Sequence, residues 1–256
     1  MRRLSATYLP VLIARVGSGA SAAVTSFLFP GQELAIGAIL AVYPLLEALG
    51  SFVAGRYADR FGRRPAMVLG YLARLATMAL MYFALEWGWG PLGVGVINAA
   101  AGFFTSFILV SSLAMVTDLT EVRNRGLGMG AFELTNLGGY AIGYVAGAGM
   151  FQVLGGAGSF AALAVFTAVL TPLVFVMAET APVKGVEIPL NPFKGLPPAT
   201  WPAIPLWFAL TTFIGMGIYS GRAIANALST SSKLAHLQSG VLLAGALIVV
   251  GIGAVI

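Results

Sequence analysis

The stretch Gly55-Arg-Tyr-Ala-Asp-Arg-Phe-Gly-Arg-Arg-Pro65 lies between two long apolar runs. In a chain that is only 9% charged, it holds one acid, Asp59, and four arginines: Arg56, Arg60, Arg63 and Arg64. Short loops rich in Lys and Arg stay on the cytoplasmic side of a membrane. The stretch therefore predicts a cytoplasmic turn between two spanning helices, and it sets the direction of every other segment.

The composition is that of a membrane protein. The 256 residues are 59% hydrophobic with a mean hydropathy of +0.92, whereas a soluble domain is about 45–50% apolar and about 25% charged. The net charge is +5, but the basic residues sit in short loops, so we predict no nucleic-acid partner. The chain has no cysteine and one histidine, His236. Thiolate chemistry and a histidine-cluster metal site are therefore excluded, and we predict neither a metal nor a cofactor.

A spanning helix needs about 20 mostly apolar residues, and eight segments qualify. The predicted spans are 8–29, 34–57, 66–85, 92–117, 126–154, 159–178, 203–224 and 239–256. Only Lys233 falls on the outer side, while the cytoplasmic side holds ten basic residues: Arg2, Arg3, Arg56, Arg60, Arg63, Arg64, Arg123, Arg125, Lys184 and Lys194. This asymmetry predicts a multi-pass plasma-membrane protein with a cytoplasmic N-terminus. Arg222 lies near the outer end of its span and can reach the interface.

Segment 179–202 divides the chain. It holds six prolines and is typical of a linker. We therefore predict a six-helix bundle over 1–178, a cytoplasmic linker over 179–202, and the first two helices of a second bundle over 203–256. A shift of 203 residues aligns the second span with the eighth at four identities: Gly37 with Gly240, Leu40 with Leu243, Ala41 with Ala244 and Gly50 with Gly253. This repeat predicts a fragment that stops just before a second basic loop.

The pattern Gly55-x-x-x-Asp59-Arg60-x-Gly62-Arg63-Arg64 resembles the signature loop of the major facilitator superfamily in spacing, residue type and position. Residues 118–126, acid first and Arg-Gly last, and the Glu-Thr-Ala-Pro of 179–182 are similar to two other turns of that family. The resemblance implies an all-α integral membrane protein whose two bundles rock about a central site. It also implies a gating motif that latches the bundles: Gly55, Asp59, Arg60, Gly62, Arg63, Arg64 and Asp118.

The physical chemistry of this loop gives its own expectations. Gly55 and Gly62 permit a tight turn and close backbone approach. Asp59 can face the positive end of a neighbouring helix, and Arg63 can pair with Asp118 at the inner end of the fourth span. The alternative is a solvated loop without a gating role.

Two further motifs of the family are incomplete here. On the fourth span, Asn98-Ala-Ala-Ala101-Gly102 stands where proton-coupled members carry Arg-x-x-Gln-Gly, so an argument for proton coupling there is weakened. On the fifth, Gly139-x-x-x-Gly143-Tyr144-x-x-Gly147-Ala148 keeps three glycines of an antiporter motif but has Tyr in place of Pro. Helix packing through small residues explains those glycines equally well.

Four ionisable side chains fall inside the predicted spans: Arg15, Glu47, Arg74 and Glu133. Such groups are costly in a bilayer unless paired, so each is a candidate for substrate binding or coupling. Because Glu47 and Arg74 flank one loop on antiparallel neighbours, we predict that they form an ion pair; the alternative role for such a pair is purely structural. Weaker candidates are polar residues on helices that line the family's cavity: Asn98, Ser106, Asn136 and Tyr140.

The predicted function is secondary active transport of a small solute by alternating access, in the manner of an antiporter or efflux pump. Protons or another coupling ion and membrane lipids are the other expected partners, and the solute class and oligomeric state stay open. The alternative is a non-transporting or half-size relative with a regulatory or binding role. An enzyme is not predicted, because the chain has no His pair, no thiol and no glycine-rich phosphate loop after a strand.

Overall fold

The computed structural model describes residues 2–181 and 235–253. Its elements are α1 (Arg2–Phe27), α2 (Glu33–Phe61), α3 (Arg63–Glu86), α4 (Gly90–Leu119), a 3-10 turn (Val122–Asn124), a long helical stretch (Arg125–Leu170), a helical turn (Pro172–Phe175) and a C-terminal helix (Ala235–Gly253). The described part of the chain contains no strand, and the all-α prediction is confirmed. The predicted span 203–224 lies outside the described residues, as do Lys184, Lys194, Arg222 and Lys233.

The long stretch Arg125–Leu170 is two helices rather than one. Gly155 has φ 68° and ψ −172°, a conformation that only glycine adopts readily. We name the parts on either side α5 (125–154) and α6 (156–170), and the C-terminal helix α7. The break lies between the predicted fifth and sixth spans, as expected.

The helices are long enough to cross a membrane. By length and composition five stretches of the described residues qualify, and the last of them, Val122–Phe175, contains both α5 and α6. Large apolar side chains cover the outside, which suits contact with lipid: Leu72, Leu80, Leu92, Val96, Val165 and Val169 are examples. α3 begins at Arg63, earlier than predicted, because Pro65 is tolerated in a first turn, where its missing N–H costs nothing.

One boundary was predicted wrongly. The eighth span was predicted to begin at 239, but the chain is already helical at Ala235, so His236 lies in the first turn of α7. The His236 ring meets Phe27 edge-on with centroids 4.6 Å apart, and its centroid lies 5.3 Å from that of Phe151. These aromatic contacts hold the first turn of α7 against the C-terminal ends of α1 and α5.

Glycines bring α1 and α5 into backbone contact. A Cβ at Gly143 would lie 2.0 Å from the carbonyl oxygen of Val16, and one at Gly147 would lie 2.3 Å from that of Ala20. The α1 side contributes Gly19, where a Cβ would lie 2.1 Å from the Tyr140 carbonyl oxygen. The glycine motif of α5 thus serves helix packing in this structure; its proposed antiporter role stays a prediction.

Gly143→Ala is expected to lower the free energy of unfolding by about 1–3 kcal/mol, since the new methyl group meets backbone that cannot rotate away. Gly138→Ala is the matched control on the same helix, because nothing lies within 4 Å of a Cβ there. Thermal unfolding in detergent measures both. Equal melting temperatures for the two variants would contradict the close α1–α5 contact.

α2 packs along α4 rather than along α3. A Cβ at Gly102 would lie 2.2 Å from the Tyr43 carbonyl oxygen, and the Asn98 side chain donates a 2.7 Å hydrogen bond to the carbonyl of Ile39. α2 and α3 share a buried cluster beside the turn that joins them, which contains Ala58 and Ala66. This arrangement decides which charged side chains can meet inside the bundle.

Candidate functional site

The turn between α2 and α3 is a single residue, Gly62. Its φ of 112° and ψ of 159° lie in a region that favours glycine, and its N–H donates to the carbonyl of Ala58 at 2.9 Å. Because the turn is so short, the last turn of α2 and the first turn of α3 hold their charged side chains side by side.

Arg63 joins the α2–α3 turn to the inner end of α4. Its guanidinium donates to the Asp59 carboxylate, and its Nε lies 3.4 Å from Oδ2 of Asp118. Thr180, which follows α6, donates its hydroxyl to the same Asp118 oxygen at 3.0 Å. The predicted Arg63–Asp118 contact is therefore present. Its latching role stays a prediction.

Glu179 holds the N-terminus of α3. Its carboxylate accepts hydrogen bonds from four backbone N–H groups: Arg63 (2.9 Å), Arg64 (3.2 Å), Thr180 (3.0 Å) and Ala181 (3.0 Å). A carboxylate here also meets the positive end of the helix dipole. Burial alone would raise the pKa of Glu179, but these hydrogen bonds outweigh burial and hold that pKa below its ordinary value.

Sequence reasoning assigned the helix-end role to the wrong acid. Asp59 was expected to face the positive end of a neighbouring helix, but in the described structure it binds Arg63 and Glu179 occupies a helix end instead. A usable signal existed: Gly62 precedes α3 and has no side chain to cap it, so the donors of Arg63 and Arg64 need an acid from elsewhere.

The other loop residues differ in their surroundings. A Cβ at Gly55 would meet only Val110 Cγ1, at 3.9 Å, so the predicted close backbone approach is wrong there within the described residues. The Arg60 guanidinium lies 5.3 Å from the Phe61 ring centroid, and that of Arg64 donates to the Phe175 carbonyl. We call the five residues that join α2, α3, α4 and the α6 exit the cytoplasmic cluster, after the membrane side predicted for them: Asp59, Arg63, Asp118, Glu179 and Thr180.

Deeper in the bundle, Arg15 of α1 pairs with Glu47 of α2. Arg15 Nη2 lies 2.8 Å from Glu47 Oε1 and Nη1 lies 3.3 Å from Oε2. The two side chains are only 11% and 18% exposed. A two-point Arg–carboxylate contact is a strong arrangement where water is scarce.

Asn136 extends this pair to α5. Arg15 Nε donates to Asn136 Oδ1, and Asn136 Nδ2 donates to Glu133 Oε2 at 2.9 Å. We call Glu47, Arg15, Asn136 and Glu133 the central polar chain; it links α2, α1 and α5. At about 1.5 Å per residue, Glu133 lies roughly 12 Å and Arg15 roughly 20 Å from the N-terminus of its helix.

The predicted Glu47–Arg74 pair is wrong. Arg74 is 2% exposed, and its Nη1 donates to Ser18 Oγ at 3.0 Å and lies 3.4 Å from Thr105 Oγ1. The reason is helix packing: because α2 runs along α4, Glu47 turns toward α1 while Arg74 enters the space between α1 and α4.

The pocket of Arg74 uses residues that sequence reasoning did not single out. The Tyr43 hydroxyl lies 3.0 Å from the hydroxyl of Ser18 and 3.0 Å from that of Thr105, the two groups that also contact the Arg74 guanidinium. A Cβ at Gly17 would lie 2.7 Å from Arg74 Nη2, so any side chain at position 17 would require this guanidinium to move. Nη2 itself has no hydrogen-bond partner among the described residues.

The weaker candidates have mostly structural contacts. Asn98 is 5% exposed and ties α4 to α2, while Ser106 donates to the Phe103 carbonyl of its own helix. Tyr140 stands one turn after Asn136 on α5 and packs where α5 meets Ala244 of α7. Of the four, only Asn136 hydrogen-bonds to a charged side chain among the described residues, while Tyr140 lies within electrostatic range of Arg15 and Glu47.

The sequence model of the Major Facilitator Superfamily matches residues 11–256. The chain belongs to this superfamily. The match covers the cytoplasmic cluster, the central polar chain and α7, so the two groups of contacts described above belong to one superfamily fold.

Curated relatives are distant. Multidrug resistance protein 2 of Bacillus subtilis (strain 168) is 26% identical over 154 residues, which are 58% of this chain and 36% of that protein. The class E tetracycline resistance protein of Escherichia coli is 33% identical over 94 residues, 36% of this chain and 22% of that one. Each alignment therefore covers only about a third or less of the length of the curated relative.

Solved structures show the same fold. The human organic anion transporter TETRAN superposes with a TM-score of 0.70 at 17% identity, covering 98% of this chain and 71% of that one. A POT family transporter in complex with 5-aminolevulinic acid gives 0.61 at 16% identity, covering 90% and 52%. At such identity the likeness speaks for the fold alone.

Proposed function

We propose that this protein moves a small solute across the plasma membrane by alternating access. The observation that carries the proposal is the central polar chain, in which two carboxylates, one guanidinium and one amide meet inside membrane-spanning helices. Ionisable groups at that depth are costly and mark substrate or ion pathways. A helical scaffold that served packing alone would be more stable with apolar residues there.

The cytoplasmic cluster indicates which parts of the protein would move together during transport. It ties the α2–α3 turn, the end of α4 and the exit of α6 together, so these three regions can rock as one block. We propose that 1–178 forms this bundle with its N-terminus in the cytoplasm, that 179–202 links it to a second bundle, and that 203–256 opens that bundle. In this role the gating residues Gly55, Asp59, Arg60, Gly62, Arg63, Arg64 and Asp118 latch the cytoplasmic side.

The direction proposed is efflux coupled to protons or another ion. The names of the curated relatives support it, because they are resistance proteins, and resistance by transport requires export. The central polar chain supports coupling, because its carboxylates can gain or lose a proton or exchange partners within the membrane.

Transport by the full-length protein in an efflux-deficient bacterial strain tests this proposal. Cells are loaded with cationic, neutral and anionic fluorescent probes of similar size, and retention is followed with and without a protonophore. We expect at least one probe to leave faster when the protein is present, and the difference to vanish with the protonophore. Normal membrane insertion with no change for any probe would favour a regulatory or binding role.

A further inference from the structure

We infer that the cargo is an organic cation and that its positive group binds the carboxylate of Glu133. This inference rests on the proposed transport function and adds the substrate class and the residue that selects it. It comes from the charges that the central polar chain leaves unbalanced.

The charges inside the spanning helices do not cancel locally. Within residues 2–181 and 235–253, the ionisable side chains at depth are Arg15, Glu47, Arg74 and Glu133. The first two neutralise each other through their two-point contact. Arg74 is enclosed between α1 and α4 with hydroxyl partners only. Glu133 is left with one neutral partner, the Asn136 amide.

The orientation of the Asn136 amide follows from the chemistry of its other neighbour. A guanidinium has donors only, so the Asn136 oxygen must face Arg15 and its NH₂ group must face Glu133. Glu133 therefore has to offer an acceptor, which its ionised form does best. Asn136 uses one Glu133 oxygen, and the other, Oε1, makes no hydrogen bond to any described residue. Glu133 is partly exposed in the described structure, and the inference requires that a ligand reach that oxygen.

The surroundings favour a cation over an anion or a neutral solute. An anion would be repelled by the uncompensated charge of Glu133. Neither guanidinium at depth is free to bind it, because Arg15 is paired with Glu47 and Arg74 is only 2% exposed between α1 and α4. A neutral solute that displaced water would leave the carboxylate without a counter-charge, which is costly. Tyr140 lies two turns after Glu133 on the same face of α5, where its ring can contact a cation.

Equilibrium binding of two isosteric probes to the purified full-length protein tests the inference. Tetraphenylphosphonium is a cation, and tetraphenylborate is an anion of nearly the same shape and hydrophobicity. We expect the wild type to bind the cation at least tenfold more tightly than the anion. Equal binding, or tighter binding of the anion, would overturn the inference.

Variants then test the residue. Glu133→Gln should weaken cation binding at least tenfold and leave anion binding no weaker, while Glu133→Asp, which keeps the charge, should retain most of the affinity for the cation. Asn136→Leu should weaken binding severalfold, since the carboxylate loses the donor that positions it. Glu86→Gln at the exposed outer end of α3 is the matched control and should bind as wild type. If Glu133→Gln keeps its melting temperature and binds the cation normally, Glu133 is not the site.

The two proposals fail in different ways. Export of neutral or anionic probes by a protein that does not bind tetraphenylphosphonium would overturn the cation inference and leave transport standing. Binding of tetraphenylphosphonium that depends on Glu133, with no export of any probe, would support the cation site and overturn transport.

Discussion

Arg15→Leu is expected to abolish transport by the full-length protein and to lower its free energy of unfolding by about 3–5 kcal/mol. The substitution leaves Glu47 buried without a counter-charge and removes the donor that fixes the Asn136 oxygen. Both carboxylates of the central polar chain then lose their positions at once. Thermal unfolding in detergent and probe export from cells measure the two effects separately.

A second variant separates the cost of leaving Glu47 without a counter-charge from the cost of losing the packing of the Arg15 side chain. Arg15→Leu combined with Glu47→Leu removes both charges, so the free energy of unfolding should return to the wild-type value or above it, because apolar pairs often replace buried ion pairs without loss. Transport should stay absent. Arg123→Leu is the control, since Arg123 is exposed on the 3-10 turn. A double variant as unstable as Arg15→Leu would mean that the Arg15–Glu47 contact is not made in the folded protein.

The sequence predicted the fold well because its strongest signals are local. Apolar length sets each span, and Gly62 and Gly155 fall where the chain must turn. The direction that the basic loops indicate stays a prediction. The Arg63–Asp118 contact could also be predicted, because both residues stand at helix ends on the same predicted side of the membrane and few other charged residues compete there.

The sequence could not predict which charged side chains pair inside the bundle, and the reason is physical. Sequence spacing gives the depth of a side chain in the membrane, but not the angle at which it leaves the helix axis relative to its neighbours. All four charged side chains lie well inside their helices: Arg15, Glu47, Arg74 and Glu133. Their depth in the membrane therefore could not show which of them pair. The choice was made by the glycines that press α1 on α5 and α2 on α4, which turn Glu47 toward Arg15.

Glu179 was missed for a different reason. It follows α6 in a segment without helical or strand periodicity, so no pattern predicts where its side chain goes. Its position becomes evident only from the needs of its partner, the uncapped N-terminus of α3. Pattern analysis in general cannot predict which non-periodic residue will hydrogen-bond to the free backbone N–H groups at the end of a distant helix.

Asp118→Asn and Arg63→Gln are each expected to reduce transport tenfold or more while changing the free energy of unfolding by less than about 1 kcal/mol. The effect on stability is small because Arg63 and Asp118 meet through one long contact of 3.4 Å, and each substitution keeps a side chain that can still hydrogen-bond. The large effect on transport follows from its location, because it couples the α2–α3 turn to α4 and, through Thr180, to the α6 exit. Export rates and melting temperatures of the same preparations give both numbers.

The double variant shows whether the two residues act as one device. If Arg63 and Asp118 form a single latch, Arg63→Gln with Asp118→Asn should export no more slowly than the worse single variant, so the effects should not multiply. Thr117→Ala is the matched control at the end of α4, since its hydroxyl bonds only to the carbonyl of Leu113 on its own helix. Multiplying effects would assign the residues independent roles, and wild-type export in all three variants would make the cytoplasmic cluster a purely structural clasp.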